Sequence, residues 1–117
     1  MPTIRDIVTA IARREGVEAA ILLGRDGLLI DARAAEGLDA EQLAAHVPPL
    51  VSAADELGRA ASRGSTTTAV VEHERGMMIV SSLSPDAMLL VLVHAGMNVG
   101  PLLFELRRHR GNIASVV

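Results

Sequence analysis

Apolar positions along this chain change their spacing several times, and each change marks an element. Ile4, Ile7, Val8 and Ile11 recur at helical spacing behind a Thr3–Asp6 capping pair, and Gly16 offers a left-handed stop. The pattern predicts a helix over about residues 3–15. Val17 to Leu23 is dense and strand-like, Gly24-Arg25-Asp26-Gly27 supplies an Asp-Gly turn, and Leu28 to Ala32 completes a β-hairpin. Asp39 with Gln42 marks a second helix start, and the helical pattern runs to Arg63 before Gly64, which predicts one long helix kinked at Pro48-Pro49. Beyond it, Thr66 to Glu74 alternates and is β-branched, Arg75-Gly76 turns into Met77 to Leu83, and Ser84-Pro85-Asp86 turns into Ala87 to His94. The last of these three antiparallel strands is apolar on both faces and belongs at the sheet centre, whereas the threonine-rich one suits an edge. Asn98 caps a final helix that tolerates Pro101 in its first turn, turns Leu102, Leu103 and Leu106 to the core, and ends at Gly111.

The long helix carries more apolar surface than one sheet contact needs. Leu43, Val47, Leu50, Ala54, Leu57 and Ala61 form a heptad-like stripe expected to face the core. Ala40, Ala44, Val51 and Gly58 lie beside it and widen the apolar arc to roughly 140°. Small side chains let backbones approach closely, so Ala44, Val51 and Gly58 are candidates for a dimer seam, with Thr66, Thr68 and Val70 on the strand edge; bordering the sheet contact is the alternative. The outer face, with Glu41, Ala45, Ser52, Glu56, Arg59 and Arg63, is polar.

Composition then removes whole classes of chemistry. All eleven basic residues are arginine, so no P-loop lysine, Schiff-base lysine or lysine base exists. Cysteine is absent, which excludes disulfides, thiolate metal sites and cysteine nucleophiles. The four histidines, His46, His73, His94 and His109, form no i, i+4 pair, so no metal site or cofactor is expected. A Ser-His-Asp set of Ser81 or Ser84 with His94 and Asp86 lacks a nucleophile elbow, and Asp55-Glu56 point to different faces of a helix, so no enzyme is expected. A net charge of −3 with one aromatic residue argues against nucleic acid. No apolar run approaches the roughly 20 residues of a membrane span and no signal peptide begins the chain, so the expectation is one cytoplasmic domain over residues 1–117. All-arginine usage with abundant Ala, Val, Leu and Gly fits a GC-rich bacterial genome, an inference from codons.

The order α-β-β-α-β-β-β-α, the hairpin Gly-Arg-Asp-Gly-Leu at Gly24–Leu28 and the terminal N-x-G-x-x-x-x-E-L-R-R at Asn98–Arg108 together resemble the Roadblock, or dynein light-chain, domain family. The resemblance spans nearly the whole chain. It implies an α+β fold, an α/β sandwich with a five-stranded antiparallel sheet, the first and last helices on one face and the long helix on the other. It also implies a homodimer or heterodimer joined through the third-strand edge and the long helix. Many members bind or regulate small Ras-like GTPases, and bacterial relatives include a GTPase-activating regulator of cell polarity. On this basis the expected function is a homodimer that binds a Ras-like GTPase on Ala45, Ser52, Glu56 and Arg59 and modulates its nucleotide cycle. A dimeric adaptor without effect on nucleotide turnover is the rival. A PAS-like ligand sensor would need a cavity that this Leu, Val and Ala-filled sheet gives no reason to expect.

Two further features stay open in the sequence. Arg25 and Arg75 occupy hairpin tips, where an arginine finger could sit, yet tip arginines are usually soluble turn residues. Phe104, the only aromatic residue, points away from the Val99, Leu102, Leu103 and Leu106 stripe. It is either an exposed contact or covered by a fold-back of Ile113, Val116 and Val117.

Overall fold

The structure is a computed structural model that describes the backbone of residues 3–116 and the side chains of residue 3 and residues 5–108. Helix α1 (Ile4–Ala12) opens with a reciprocal box in which Thr3 Oγ1 accepts from the Asp6 amide at 3.1 Å and Asp6 accepts from the Thr3 amide at 3.0 Å. The hairpin follows as β1 (Val17–Gly24) and β2 (Leu29–Ala34), and the later strands are β3 (Thr68–His73), β4 (Gly76–Ser84) and β5 (Ala87–Val93). They form one antiparallel sheet in the order β2-β1-β5-β4-β3, with β5 central and every one of its residues buried. That burial is what an uninterrupted Ala-Met-Leu-Leu-Val-Leu-Val run requires, since both its faces must leave water. Strand β3, with its Thr, Glu and His, takes one edge, as its composition predicts.

The alternating faces of the sheet feed two separate cores. Ala20, Leu22, Ile79, Leu89 and Val91 pack beneath Ile7, Val8 and Ile11 of α1 and Leu102 and Leu106 of α4 (Gly100–Val116). On the other face Ala19, Ile21, Leu23, Val80, Met88 and Leu90 pack beneath Ala44, Val47 and Val51. Two terminal helices on one side and the long-helix segment on the other make the α+β arrangement that the sequence predicts.

Two boundaries differ from the sequence expectation. The long helix is two helices, α2 (Ala40–Ala45) and α3 (Val47–Ala60), separated at His46. Pro48 and Pro49 fall in the first turn of α3, where a missing N–H costs nothing because those amides have no helical partner. The chain therefore breaks ahead of the prolines instead of kinking through them. Helix α4 passes Gly111 and reaches Val116, since a single helical glycine costs only about 1 kcal/mol and does not by itself stop a helix. Among the described residues no helix is long and apolar enough to cross a membrane.

Candidate functional site

Helix α2 starts at Asp39, whose carboxylate accepts from the Gln42 amide at 3.2 Å, and it presses Ala44, fully buried, onto the sheet. The β1–β2 turn supports the α2–α3 junction from below. A Cβ at Gly27 would lie 3.3 Å from the Pro48 ring, and φ of +89° there also demands glycine. Past this anchor Val47 and Val51 are the buried residues that seat α3 on the sheet. Its next apolar positions are left open: Leu50 is 39% exposed and Leu57 is 72% exposed.

Between these helices and the β3 side of the sheet runs an apolar groove of about 290 Å³. Leu43, Val47 and Leu50 form its helical wall, Val71, Met78 and Leu90 its floor, and His46 and His73 also line it. The β3 edge beside it pairs only with β4 and has no partner on its outer side among the described residues. An apolar groove flanked by an exposed leucine stripe and an open edge is a surface suited to receive another polypeptide.

The far end of α3 is fixed by polar contacts. The Arg63 amide donates to the Gly58 carbonyl at 2.7 Å, and a Cβ on Gly58 would lie 2.3 Å from the Gly64 carbonyl oxygen. Asp55 Oδ1 accepts from the Thr66 amide at 2.7 Å, and the Thr67 carbonyl accepts from the Ser82 amide at 2.9 Å. Hydrogen bonds from the Thr66 amide and hydroxyl hold the Asp55 carboxyl below its usual value of 3.8; burial opposes them, and the Arg25 and Arg59 charges add to the lowering.

These contacts show what the candidate seam residues do within one chain. Ala44 and Val51 belong to the core within one chain, because the sheet itself covers the small-residue stripe. Gly58 is small to admit the returning backbone at Gly64, and Thr66 is committed to Asp55. Thr68 and Val70 lie opposite Ser81 and Ile79, on the α1–α4 side of the sheet, so their side chains point away from the groove. Of the first stripe, expected to face the core, Val47 does so, whereas Leu50 and Leu57 are exposed. Ala45, Ser52, Glu56 and Arg59 are all exposed on the outer side of α2 and α3.

Arg25 is no free hairpin tip. Its Nη2 donates to the Ser84 carbonyl at 3.0 Å and to Ser82 Oγ, its Nε donates to Ser84 at 3.3 Å, and its amide donates to the Asp86 carbonyl at 3.2 Å. The arginine thereby clips the β1–β2 turn to the β4–β5 turn. Arg75 is exposed. The candidate Ser-His-Asp set is dispersed: Ser81 is fully buried, and Asp86 and His94 flank opposite ends of β5, about 25 Å apart at the usual rise per residue. His94 Nδ1 instead lies 3.0 Å from Glu18 Oε1. Among the described residues no three His, Cys, Asp or Glu side chains are grouped to hold a metal ion. Phe104 is 68% exposed; the backbone of Ile113 and Val116 continues α4, while their side chains and Val117 lie outside the described residues.

Known proteins share this architecture. The fold superposes on MglB of Myxococcus xanthus with a TM-score of 0.87 at 13% identity, covering 97% of this chain and 93% of that one. A Roadblock/LC7 domain from Streptomyces avermitilis gives 0.84 at 22% identity, covering 93% and 92%. In sequence, the uncharacterized protein MJ0310 of Methanocaldococcus jannaschii is 23% identical over 110 residues, 94% of this chain and 96% of its own length. The Roadblock/LC7 domain model matches residues 3–93, which span the sheet and the helices that bound the groove, and the chain therefore belongs to the Roadblock/LC7 domain family.

Proposed function

We propose that this protein is a homodimeric regulator of a small Ras-like GTPase, with no catalytic residues of its own. The observation that carries this reading is the division of α3 into two opposed surfaces. Leu50 and Leu57 stand open beside an apolar groove and a free strand edge, while Ser52, Glu56 and Arg59 face outward. A second copy related by a two-fold axis would lay its leucine stripe over the groove and extend the sheet across β3. Such a contact satisfies both surfaces at once, because isologous interfaces use the same patch twice. Specific interfaces bury about 1,600 Å² in total, within reach of one helix and one strand edge per copy.

In that dimer the outward faces of both α2–α3 segments form one mixed-charge platform around Ala45, Ser52, Glu56 and Arg59. A folded partner docks on such a platform through a few central contacts. A GTPase whose switch loops are ordered by the γ-phosphate would be held in its GTP state, and hydrolysis would be altered by reshaping those loops. Arg25 makes no arginine finger in this scheme, since its guanidinium is already bound to Ser82 and Ser84.

The test is capture and single-turnover hydrolysis with the small GTPase encoded nearest to this gene, comparing the native chain with the Ala45→Arg/Ser52→Arg variant. Capture of the GTP form by the native chain and its loss in a variant that still dimerises is the expected result. Equal capture by both moves the site off this face, and capture by neither removes the GTPase from the function.

A further inference from the structure

The two helical segments across the sheet from the groove are net positive, unlike the rest of the described chain. Residues 3–16 and 98–108 hold five arginines against three carboxylates, whereas residues 17–97 hold five arginines against eleven carboxylates. The first set is net +2 and the second net −6. Within the basic layer the Arg14 guanidinium is bound to Glu105, which ties α1 to α4 and neutralises both groups. Arg5, Arg13, Arg107 and Arg108 remain exposed.

Phe104 stands on this layer, 68% exposed, opposite the buried Leu102 and Leu106 that seat α4 on the sheet. Arg107 and Arg108 follow it at i+3 and i+4, so they flank the ring on one helix face. The chain has spent its only Phe, Tyr or Trp side chain on solvent. An aromatic anchor flanked by two arginines has the composition of an interface hot spot. Arginine, with its planar fork, is the cation that pairs carboxylates two bonds at a time.

We propose that the Phe104, Arg107 and Arg108 face of α4 is a second docking surface, separate from the long-helix side, for an acidic polypeptide segment that carries an aliphatic side chain among its carboxylates. Charge selects the occupant. Residues 3–16 and 98–108 are net positive and residues 17–97 net negative, so an acidic segment gains more at the α4 arginines than over the rest of the described chain. A lipid surface fits less well, because stable interfacial binding needs a broad apolar face, and Phe104 is the only large exposed apolar side chain on α1 or α4 among the described residues.

The single aromatic residue makes the test direct. Growth with 4-fluorophenylalanine places one ¹⁹F nucleus in the whole chain, at Phe104. The intact protein is titrated with a pool of 14-residue peptides built from Asp, Glu, Leu and Ser. The same pool with Lys in place of the acids, and phosphatidylserine vesicles, serve as comparisons. The expected result is a saturating ¹⁹F shift with the acidic pool alone, weakened about tenfold or more by Arg107→Glu/Arg108→Glu. Peptide anisotropy with the Phe104→Ser variant should show a loss of similar size. No shift with the acidic pool, an equal shift with the lysine pool, or a response to vesicles alone would overturn the proposal. Sedimentation of the charge-reversed variant as the native species keeps this outcome independent of the groove.

Discussion

Replacing Leu57 with glutamine separates the open leucine stripe from the core. In one chain Leu57 is 72% exposed, and glutamine matches its length and helix propensity, so the folding free energy of the isolated chain should change by no more than about 0.5 kcal/mol. In a two-fold dimer the same leucine would be covered in both copies. Full burial of a leucine contributes about 1.5–3 kcal/mol, and roughly three-quarters of that remains to be gained here, about 1–2 kcal/mol per copy. Symmetry doubles the loss to about 2–4 kcal/mol, or about 30-fold to 700-fold in the dimer dissociation constant. Burying the glutamine amide without a partner raises the loss further. Sedimentation velocity over a dilution series reads the dissociation constant, and urea unfolding at the lowest concentration reads the single chain. An unchanged dissociation constant would refute the placement of the interface on this stripe. A large loss of single-chain stability would mean that Leu57 packs within its own chain.

Other substitutions test the remaining contacts. Gly58→Ala would stabilise an ordinary helix interior by about 1 kcal/mol, but here its Cβ meets the Gly64 carbonyl at 2.3 Å, so urea unfolding should show net destabilisation. Arg25→Ala should destabilise by about 1–3 kcal/mol through loss of charged hydrogen bonds that clip two turns, whereas the exposed Arg75→Ala should stay within about 0.5 kcal/mol by thermal unfolding. The Asp6 and Asp55 carboxyls lie below 3.8 in the folded chain, so each adds stability that is complete above that pH and fades as pH falls through the folded value. Asp55→Asn should therefore flatten the acid limb of an unfolding-versus-pH curve below about pH 4, most directly seen by circular dichroism. With no lysine and no P-loop, the isolated protein should give no calorimetric signal with GTP.

The sequence by itself determined the elements whose causes are local. Thr3–Asp6 and Asp39–Gln42 set two helix starts, the Asp-Gly turn set the first hairpin, and the apolar run Ala87 to Val93 could only be satisfied at the centre of a covered sheet. The same logic placed Ser52, Glu56 and Arg59 outside, because a polar stripe has nowhere else to go. Local spacing points to the heptad-like stripe of the long helix as the one that meets the sheet, and the structure divides that contact differently. Periodicity reports the width of an apolar arc, but the length of the sheet beneath it is set by strand pairing elsewhere in the chain. The tertiary structure gave that contact to Ala44, Val47 and Val51 and left Leu50 and Leu57 open. It also made Gly58 a site of close backbone return, which depends on how the chain turns back at Gly64, and Arg25 a clip instead of a free tip, because its partners Ser82 and Ser84 lie far along the chain. Local spacing dictates which residues share a face; only the packed chain dictates what that face meets.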